Sequence, residues 1–333
     1  MLCPPLINTN SSVNQKPNIV LVVPQNIPNI YDDILKGLDD CNIQKVPDIR
    51  LEIEKNLSSA NALIGCPRAI FDDDIVSLTN GNLKWVHNPG AGVEHLLVDS
   101  LINSNIVFTN GKIIQGPECA DHALGLLLSL TRNIAPIAKK IESSLLSRPI
   151  ELLGKKALVI GLGGIGMAVA ERLNAFGVKV SGIEDDYVPM LSFLNEVRLI
   201  EELDSFIGKF DIVVMAAPHT FKTNKIIDKD LIGKFKRGSY FINVSRGATV
   251  DIDSLVFGIK EGILAGIGID VTDPEPLDEN HELRSFHQVM VTNHIAGLSE
   301  FNRQRSANLI RKNIIRFSRG ENLLNIVNKK SGY

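Results

Sequence analysis

The chain contains 333 residues, of which 44% are hydrophobic and 22% are charged, and its formal net charge is −3. This composition provides a sizeable core and excludes a mostly disordered chain, and the length favours two domains. The charge balance lacks the basic excess that is typical of nucleic-acid-binding proteins, so we expect no nucleic-acid partner.

The first part of the chain, residues 18–112, alternates short apolar runs with helix-like pieces, which predicts a small α/β unit. The predicted strands cover residues 19–24, 62–66, 83–88 and 106–110, and the predicted helices cover residues 31–38, 73–78 and 94–101. Residues 1–17 are rich in Asn and Ser and contain no apolar core of a signal peptide, so we expect a loose tail there.

Residues 119–132 are apolar and predict a longer helix that bridges to a second α/β series, whereas residues 134–153 are polar and weakly patterned. The strands predicted for the second series cover residues 157–160, 178–183, 197–200, 212–216, 240–244, 263–271 and 289–293. Helix-like segments separate most of them, which is the outline of the doubly wound dinucleotide fold. The last predicted helix, over residues 302–317, places Ile310, Ile314 and Phe317 on one face.

Four cysteines occur at positions 3, 41, 66 and 119, and their spacing indicates neither a zinc site nor a disulfide framework. We therefore expect no bound metal, and we expect Cys66, at the end of an apolar run, to be a small core residue. Free thiols suit a reducing compartment, and no apolar run is long enough to span a bilayer. The sequence thus predicts a cytoplasmic protein without a membrane partner.

A glycine-rich turn closes the first strand of the second series and opens the next helix, with the sequence Val159-Ile160-Gly161-Leu162-Gly163-Gly164-Ile165-Gly166. Gly161 permits a tight turn, Gly163 lets a pyrophosphate approach the backbone, and Gly166 lets the helix pack closely on the strand. The helix N-terminus offers N–H groups to phosphates. We therefore expect Gly161, Gly163, Gly164, Ile165 and Gly166 to bind a dinucleotide.

The carboxylate of Glu184 favours NAD as that dinucleotide. Glu184 lies 18 residues after Gly166, at the end of the second strand of the series. A carboxylate at this point accepts both ribose hydroxyls of NAD and repels the 2′-phosphate of NADP. Asp185 takes the ribose role instead if the strand register slips by one residue.

Two further segments are predicted to line the cofactor. Ala217 and Pro218 end the fourth strand of the series and should lie along the bound nucleotide. Thr223, five residues after Pro218, either hydrogen-bonds a phosphate or caps a helix N-terminus, and the sequence favours neither reading.

Three polar residues follow predicted strands and are the candidates for catalysis. Arg246 follows the run at 240–244, Glu275 lies beyond the run at 263–271, and His294 follows the run at 289–293. Ligands of open α/β sheets bind beyond the carboxyl ends of the strands. A guanidinium, a carboxylate and an imidazole are therefore expected at the same edge of the sheet.

Seven histidines compete for the acid/base role. His281 and His287 precede the last strand and are expected at the opposite edge of the sheet. Of the others, His87 and His95 can line a cleft from the first unit, His122 is expected to be structural, and His219 lies near the predicted cofactor site. Only His294 directly follows a strand and precedes a turn of small residues.

The three candidates suit proton transfer to a carbonyl group. A carboxylate at Glu275 beside the His294 imidazole favours the charged form of the ring and selects its tautomer, so the ring can exchange a proton with a carbonyl oxygen. Arg246 can bind a carboxylate through two hydrogen bonds or polarise a carbonyl. The alternatives are that Glu275 is a surface loop acid and that Arg246 pairs with a surface acid.

A fourth candidate element belongs to the first unit, where a turn with the sequence Asn88-Pro89-Gly90-Ala91-Gly92-Val93-Glu94 joins a strand to a helix. The N–H groups of Ala91 and Gly92 can bind an anionic group of a substrate. The alternative is a glycine turn without a ligand.

Together these motifs resemble the D-isomer-specific 2-hydroxyacid dehydrogenases, the family of D-glycerate, glyoxylate/hydroxypyruvate, D-lactate and phosphoglycerate dehydrogenases. The resemblance covers nearly the whole chain. The segments that carry it are residues 90–93, 161–166, 243–247, 270–277, 294–297 and 332–333.

The resemblance implies an α/β protein of two domains. A Rossmann-type doubly wound parallel sheet over residues 116–298 is expected to bind NAD. Residues 1–115 and 299–333 are expected to form a smaller, flavodoxin-like α/β substrate domain, with a cleft that closes on the substrate. The resemblance also implies a homodimer built around the bridging helix.

Individual roles follow from the same resemblance. Arg246 is expected to orient the substrate, Glu275 to pair with the histidine, and His294 to donate the proton. The substrate carboxylate is assigned to Ala91 and Gly92. The implied cofactor contacts also include Asp270, near the nicotinamide amide, and Val244, Ser245, Ala296 and Gly297.

The chain departs from the family pattern at a few positions. Gly164 stands where many members have an arginine, which removes one phosphate contact, and Asn293 replaces the common proline before the histidine. Residues 134–153 are short and lack the usual tryptophan, which weakens the inference of a homodimer. None of these departures affects Arg246, Glu275 or His294.

The sequence therefore predicts an NAD-dependent D-2-hydroxyacid dehydrogenase that reduces small 2-oxo acids, with glyoxylate and hydroxypyruvate favoured by resemblance. One alternative is a non-catalytic, NAD-sensing partner protein of the same fold. Another is a methyltransferase, in which a glycine loop also follows the first strand, although such an enzyme has no need of the Arg246, Glu275 and His294 set.

Overall fold

The computed structural model describes residues 16–25, 31–32, 35–189 and 191–333. These residues form two compact units, one from the described residues up to Ile114 together with Ser299–Tyr333, and the other from the described residues of Gln115–Leu298. Cys3, most of the predicted tail and part of the predicted helix over residues 31–38 lie outside the described residues.

Twelve strands are present in the described residues. They are β1 (Asn18–Val23), β2 (Asn42–Pro47), β3 (Ala62–Ile64), β4 (Trp85–Asn88), β5 (Val107–Asn110), β6 (Lys156–Ile160), β7 (Lys179–Ile183), β8 (Leu194–Arg198), β9 (Ile212–Met215), β10 (Ser239–Asn243), β11 (Leu264–Ile269) and β12 (Val289–Val291).

The α-helices of the described ranges are α1 (Arg50–Glu54), α2 (Asp73–Ser77), α3 (Asp99–Ile102), α4 (Gly116–Thr131), α5 (Ile134–Ala138), α6 (Gly164–Ala175), α7 (Leu203–Phe206), α8 (Lys229–Ile232), α9 (Ile252–Lys260) and α10 (Asn302–Ser318). Each of them is too short or too polar to serve as a membrane span.

The first unit is built on a parallel sheet with the strand order β2-β1-β3-β4-β5. This is the flavodoxin-like order. The predicted face of α10, formed by Ile310, Ile314 and Phe317, packs on this sheet, and the rings of Phe317 and Trp85 lie 5.3 Å apart. The predicted helix and its buried face are thus confirmed.

In the first unit, one strand lies outside the predicted elements and one predicted helix is wrong. Strand β2 was not predicted, because it is an edge strand in which only Val46 is buried, so it lacks an apolar run. The continuous helix predicted over residues 94–101 is a 3₁₀ turn at Glu94–Leu96 and the separate helix α3. Leu97 interrupts the two with non-helical backbone angles.

The second unit has a parallel sheet with the strand order β12-β11-β10-β9-β6-β7-β8. Counted from β6, the order is 3-2-1-4-5-6-7, which is that of the dinucleotide-binding doubly wound fold with one added strand. The predicted fold class is confirmed. The order reverses between β6 and β9, which places the turn after β6 at the switch point of the sheet.

Strand boundaries in the second unit differ from the prediction at the edges of the sheet. The third strand is Leu194–Arg198 rather than residues 197–200, because this edge strand has an alternating, half-exposed pattern rather than a buried run. Strand β12 ends at Val291, so Thr292 and Asn293 have already left the sheet. The segment 134–153, predicted as weakly patterned, contains the short helix α5 and a 3₁₀ turn.

The core of the second unit lies on both faces of its sheet. Strand β10 is buried along its whole length. Its consecutive residues Phe241 and Ile242 belong to different apolar clusters, because successive side chains of a strand point to opposite faces of the sheet. Helix α4 covers the Ile242 side with Leu126, Leu127 and Leu130. The sheet is therefore rigidly supported beneath the loops at its carboxyl edge.

Replacing Phe241 by alanine tests this core. The side chain is fully buried, so Phe241→Ala is expected to lower the free energy of unfolding by about 3–5 kcal/mol, measured by urea denaturation. Phe221→Ala is the matched control, because Phe221 is 100% exposed, and its effect should stay within about 0.5 kcal/mol. Equal effects of the two changes would contradict the packing described.

Candidate active site

The glycine turn after β6 is held by contacts that exclude side chains. Gly161 has φ +90°, and a Cβ there would lie 2.5 Å from the Cα of Ala217. A Cβ on Gly166 would lie 1.8 Å from the carbonyl oxygen of Gly161. Helix α6 therefore begins directly against the end of β6, and Ala217 lies against the same turn.

The outer side of this turn suits a phosphate group. A Cβ on Gly163 would meet no atom within 4 Å, so the backbone is accessible there. Among the described residues, none accepts a hydrogen bond from the N–H of Gly163 or Gly164, at the start of α6. Accessible N–H groups at a helix N-terminus are the usual ligands of a pyrophosphate, so the residues present fit a dinucleotide.

The carboxylate of Glu184 is fixed at the same turn. Glu184 follows β7, and its Oε2 accepts a hydrogen bond from the N–H of Leu162 at 2.8 Å. Its Oε1 accepts from the N–H of Asp185 at 3.0 Å. Asp185 itself points elsewhere, since its oxygens accept from Ile200 N–H at 3.0 Å and from Lys222 Nζ at 2.8 Å. The geometry therefore favours Glu184 over Asp185 for the ribose.

Thr223 closes its own turn. Its hydroxyl donates to the carbonyl oxygen of Pro218 at 2.6 Å and accepts from the N–H of Thr220 at 2.8 Å. The suggested helix N-cap is wrong, because the next helix, α8, begins only at Lys229. The contact of Thr223 with a phosphate stays a prediction, as do the cofactor contacts of Ala217 and Pro218.

Arg246 is presented by a hydrogen-bonded turn after β10. The Oδ1 of Asn243 accepts from the N–H of Ser245 at 3.0 Å, and the Nδ2 of Asn243 donates to the carbonyl oxygen of Arg246 at 3.1 Å. Val244 and Ser245 are buried, whereas the Arg246 side chain is half-buried and its Nη1 donates to Ser245 O at 2.8 Å. The turn thus fixes the base of the guanidinium arm.

The loop after Arg246 lies directly against the loop that carries Glu275. A Cβ on Gly247 would come within 2.0 Å of the carbonyl group of Thr272. The hydroxyl of Thr272 in turn donates to the carbonyl oxygen of Pro274 at 2.8 Å, one residue before Glu275. Packing of backbone on backbone therefore holds the carboxyl ends of β10 and β11 together.

His294 and Glu275 form a direct pair. The Nδ1 of His294 lies 2.7 Å from Oε1 of Glu275, and the two side chains are 49% and 42% exposed. Among the described residues, no hydrogen-bond partner is found for Nε2 of His294, so this nitrogen can exchange a proton with a bound molecule. The predicted neighbourhood of the carboxylate and the imidazole is present in the structure.

The backbone at His294 is held by Asp270, which is buried at the end of β11. Its Oδ1 accepts from the Thr292 hydroxyl at 2.6 Å and from Ile295 N–H at 3.0 Å, and its Oδ2 accepts from Ala296 N–H at 2.8 Å. The Asp270 carbonyl oxygen accepts from His294 N–H at 2.8 Å. These bonds stabilise the φ of +52° at His294, an uncommon angle for a residue with a side chain.

His122 of helix α4, expected to be structural, and Gln115, just before this helix, support the turn through partners that the sequence did not indicate. The Nε2 of His122 lies 2.9 Å from the Thr292 hydroxyl and 3.4 Å from Oδ1 of Asp270. Gln115 lies against Gly297. No local pattern indicates these contacts, because about 170 residues separate His122 from its partner. The cofactor contacts of Asp270, Ala296 and Gly297 stay predictions.

Other ionisable candidates are buried in the apolar interior. His87 is sealed in the first sheet, where burial lowers its pKa to about 3, so it is neutral at pH 7 and the suggestion that it lines a cleft is wrong. Burial also raises the pKa values of Cys66 and Cys119 to about 12, so both remain thiols. Cys66 is the core residue predicted. The described residues contain no His, Cys, Asp and Glu group that could hold a metal.

The turn at residues 90–92 in the first unit has its carbonyl groups engaged. Asn88 Nδ2 donates to the carbonyl oxygens of Gly90 and Gly92, and Asn110 Nδ2 donates to that of Ala91 at 2.6 Å. Among the described residues, nothing accepts a hydrogen bond from the N–H of Ala91 or Gly92. This arrangement suits an anion, and the contact with a substrate stays a prediction.

A family comparison matches the second unit. The family model described as "D-isomer specific 2-hydroxyacid dehydrogenase, NAD binding domain" matches residues 124–296, which is more than half of the chain.

Proteins with related sequences and structures carry consistent names. The glyoxylate reductase of Thermofilum pendens is 31% identical over 299 residues, which cover 85% of this chain and 86% of the relative. The human glyoxylate reductase/hydroxypyruvate reductase is 28% identical over 85% of this chain and 89% of the relative. A D-isomer specific 2-hydroxyacid dehydrogenase from Xanthobacter autotrophicus Py2, solved with NADPH and MES, is similar with a TM-score of 0.82 at 25% identity. That likeness covers 96% of this chain and all of the other.

The support of the His294 turn by Asp270 is tested by Asp270→Asn. The Asp270 carboxylate has two oxygens, which accept from two backbone N–H groups and a hydroxyl. An asparagine side chain at this position has only one oxygen, so at least one buried donor loses its partner. We expect a loss of about 1–3 kcal/mol in the free energy of unfolding, measured by urea denaturation. Asp253→Asn, in a side chain that is 88% exposed, is the control and should be near neutral. An unchanged stability of Asp270→Asn would show that these bonds contribute nothing.

Proposed function

The chain belongs to the D-isomer specific 2-hydroxyacid dehydrogenase family, and from this membership we propose that it reduces small 2-oxo acids to D-2-hydroxy acids with NADH, with His294 as the proton donor. It is a nicotinamide-dependent oxidoreductase of that family. The observation that carries the finer proposal is the 2.7 Å contact between His294 and Glu275 at the carboxyl edge of the sheet that also bears the glycine turn.

The preference for NAD over NADP rests on Glu184. Its carboxylate is anchored at the glycine turn by Leu162 N–H, and it stands where the adenosine ribose is bound in this fold. A fixed carboxylate accepts hydrogen bonds from ribose hydroxyls and repels a 2′-phosphate. The NADPH in the Xanthobacter structure belongs to that protein and does not decide the choice for this chain.

In the proposed reaction, bound NADH supplies the hydride that reduces the carbonyl carbon of the substrate. His294 donates a proton from Nε2 to the carbonyl oxygen in reduction and accepts it in oxidation. Glu275 holds the ring through Nδ1, so the orientation and the tautomer are set before the substrate binds.

Arg246 is the proposed ligand of the substrate. A guanidinium presents five N–H donors in one plane, which suits a carboxylate or a polarised carbonyl oxygen. The hydrogen bonds of Asn243 and Ser245 fix the backbone from which it extends. A lysine lacks this planar geometry, so the positive charge alone is not equivalent.

Glyoxylate and hydroxypyruvate are the proposed substrates. The support is the naming of similar proteins as glyoxylate and hydroxypyruvate reductases. The cytoplasmic location and the homodimer stay predictions from the sequence. The exposed Ile134 and Ile137 of α5 directly follow the bridging helix around which the homodimer is expected.

A panel of 2-oxo acids tests the proposed function. We expect glyoxylate or hydroxypyruvate to give the fastest oxidation of NADH, which is measured as the loss of nicotinamide absorbance. We also expect kcat/KM with NADH to exceed kcat/KM with NADPH. If NADPH is preferred, the role assigned to Glu184 is wrong. Binding of NADH without oxidation by any 2-oxo acid would favour the non-catalytic, NAD-sensing alternative.

His294→Ala tests the proton donor. Loss of general acid catalysis is expected to lower kcat roughly 10²–10⁴-fold while the affinity for NADH stays within about twofold, measured by steady-state kinetics and calorimetry. His287→Ala is the control, because His287 precedes β12 at the other edge of the sheet. Undiminished turnover of His294→Ala would remove this residue from the mechanism.

A further inference from the structure

A three-membered ion cluster lies beside the proposed ribose site. The Nζ of Lys222 is 2.8 Å from Oδ2 of Asp185 and 3.0 Å from Oε1 of Glu201. The three residues come from the loops after β7, β8 and β9, which meet at the carboxyl edge of the sheet. The carboxylates of Asp185 and Glu201 thus both contact the ammonium group of Lys222.

This ion cluster is next to the carboxylate that selects the cofactor. The N–H of Asp185 donates to Oε1 of Glu184 at 3.0 Å, so Lys222 is one side chain away from the ribose ligand. Two exposed aromatic side chains accompany it, Tyr187 at 85% and Phe221 at 100% exposure. The contact between Asp185 and Glu184 puts the cluster on the side of the proposed site that would hold the adenosine ribose.

The charges of the cluster are mutually stabilised. The hydrogen bond to Asp185, and then that to Glu201, raises the pKa of Lys222 above its ordinary value. Burial acts to raise the pKa of Asp185, but the hydrogen bonds from Lys222 and Ile200 outweigh it and lower the pKa. Lys222 and Asp185 are therefore both ionised at neutral pH, and the ammonium group lies within hydrogen-bond distance of two carboxylates.

We propose that Lys222 is a specificity-determining residue whose ammonium group is withheld from a cofactor 2′-phosphate by Asp185 and Glu201. The proposal rests on the proposed function, because it assumes that Glu184 binds the ribose. A 2′-phosphate carries nearly two negative charges, and the carboxylate of Glu184 repels it. The nearby ammonium group of Lys222 is already paired with Asp185 and Glu201. NADP is then disfavoured for two reasons: Glu184 repels its 2′-phosphate, and the pairing of Lys222 with Asp185 and Glu201 keeps the ammonium group from binding that phosphate.

The test is the double variant Asp185→Asn/Glu201→Gln. The asparagine side chain introduced at position 185 keeps an oxygen for the Ile200 N–H, so the local fold is retained, while Lys222 loses both of its charged partners. We expect the ratio of kcat/KM for NADPH to that for NADH to rise about tenfold, the effect of one charge-assisted contact. Calorimetric Kd values for the two cofactors should change by the same ratio.

Two controls separate the lysine from a general change of charge. Adding Lys222→Met to the double variant should abolish the gain, whereas Glu282→Gln, which removes one charge from the remote pair with Lys260, should leave the ratio unchanged. Lys222→Met alone should change kcat/KM for NADH less than about twofold, since its charge is opposed by the two acids.

Three results would overturn the proposal: no gain in the double variant, a gain that survives Lys222→Met, or a large loss with NADH in Lys222→Met alone. Calorimetry keeps these outcomes separate from the failure of the proposed function. Cofactor affinities can be measured even if no 2-oxo acid is reduced, so an inactive protein still answers the question about Lys222.

Discussion

The buried carboxylate of Asp270 is the constraint on which the site of the second unit depends. It accepts hydrogen bonds from the hydroxyl of Thr292 and from the N–H groups of Ile295 and Ala296, and its own carbonyl oxygen receives the N–H of His294. A carboxylate in the interior is tolerated because donors surround it. In return it forces the chain into the unusual turn that presents the imidazole to Glu275.

Two groups of loops at the carboxyl edge of the sheet carry different functional groups. The end formed by the turn after β6 offers accessible N–H groups and the fixed carboxylate of Glu184, which suits a nucleotide. The end formed by the loops after β10, β11 and β12 offers Arg246 and the His294–Glu275 pair, which suits an anionic substrate with a carbonyl group. Both groups of loops lie at the carboxyl edge of one parallel sheet, the edge at which folds of this type bind their ligands.

Much of this arrangement was predictable from local patterns. Buried parallel strands are continuous apolar runs, so β6, β9 and β10 were placed within one or two residues, and the glycine spacing indicated the turn after β6. Edge strands carry a weaker signal, and for that reason β2 was missed and β8 was displaced. The predicted end of β12 lies two residues beyond the observed end at Val291. Thr292 is a residue type that favours strands, but its hydroxyl binds Asp270 outside the sheet.

The sequence by itself determined the fold class, the glycine turn and the identity of the polar residues that follow the strands, because these depend on local spacing and on the period of apolar residues. Tertiary structure alone decided which polar groups meet. His122 approaches Thr292 across about 170 residues, and Lys222 is shared by acids from two other loops. Such contacts depend on how strands are ordered in space, and that order is set by the packing of the whole sheet rather than by any segment of it.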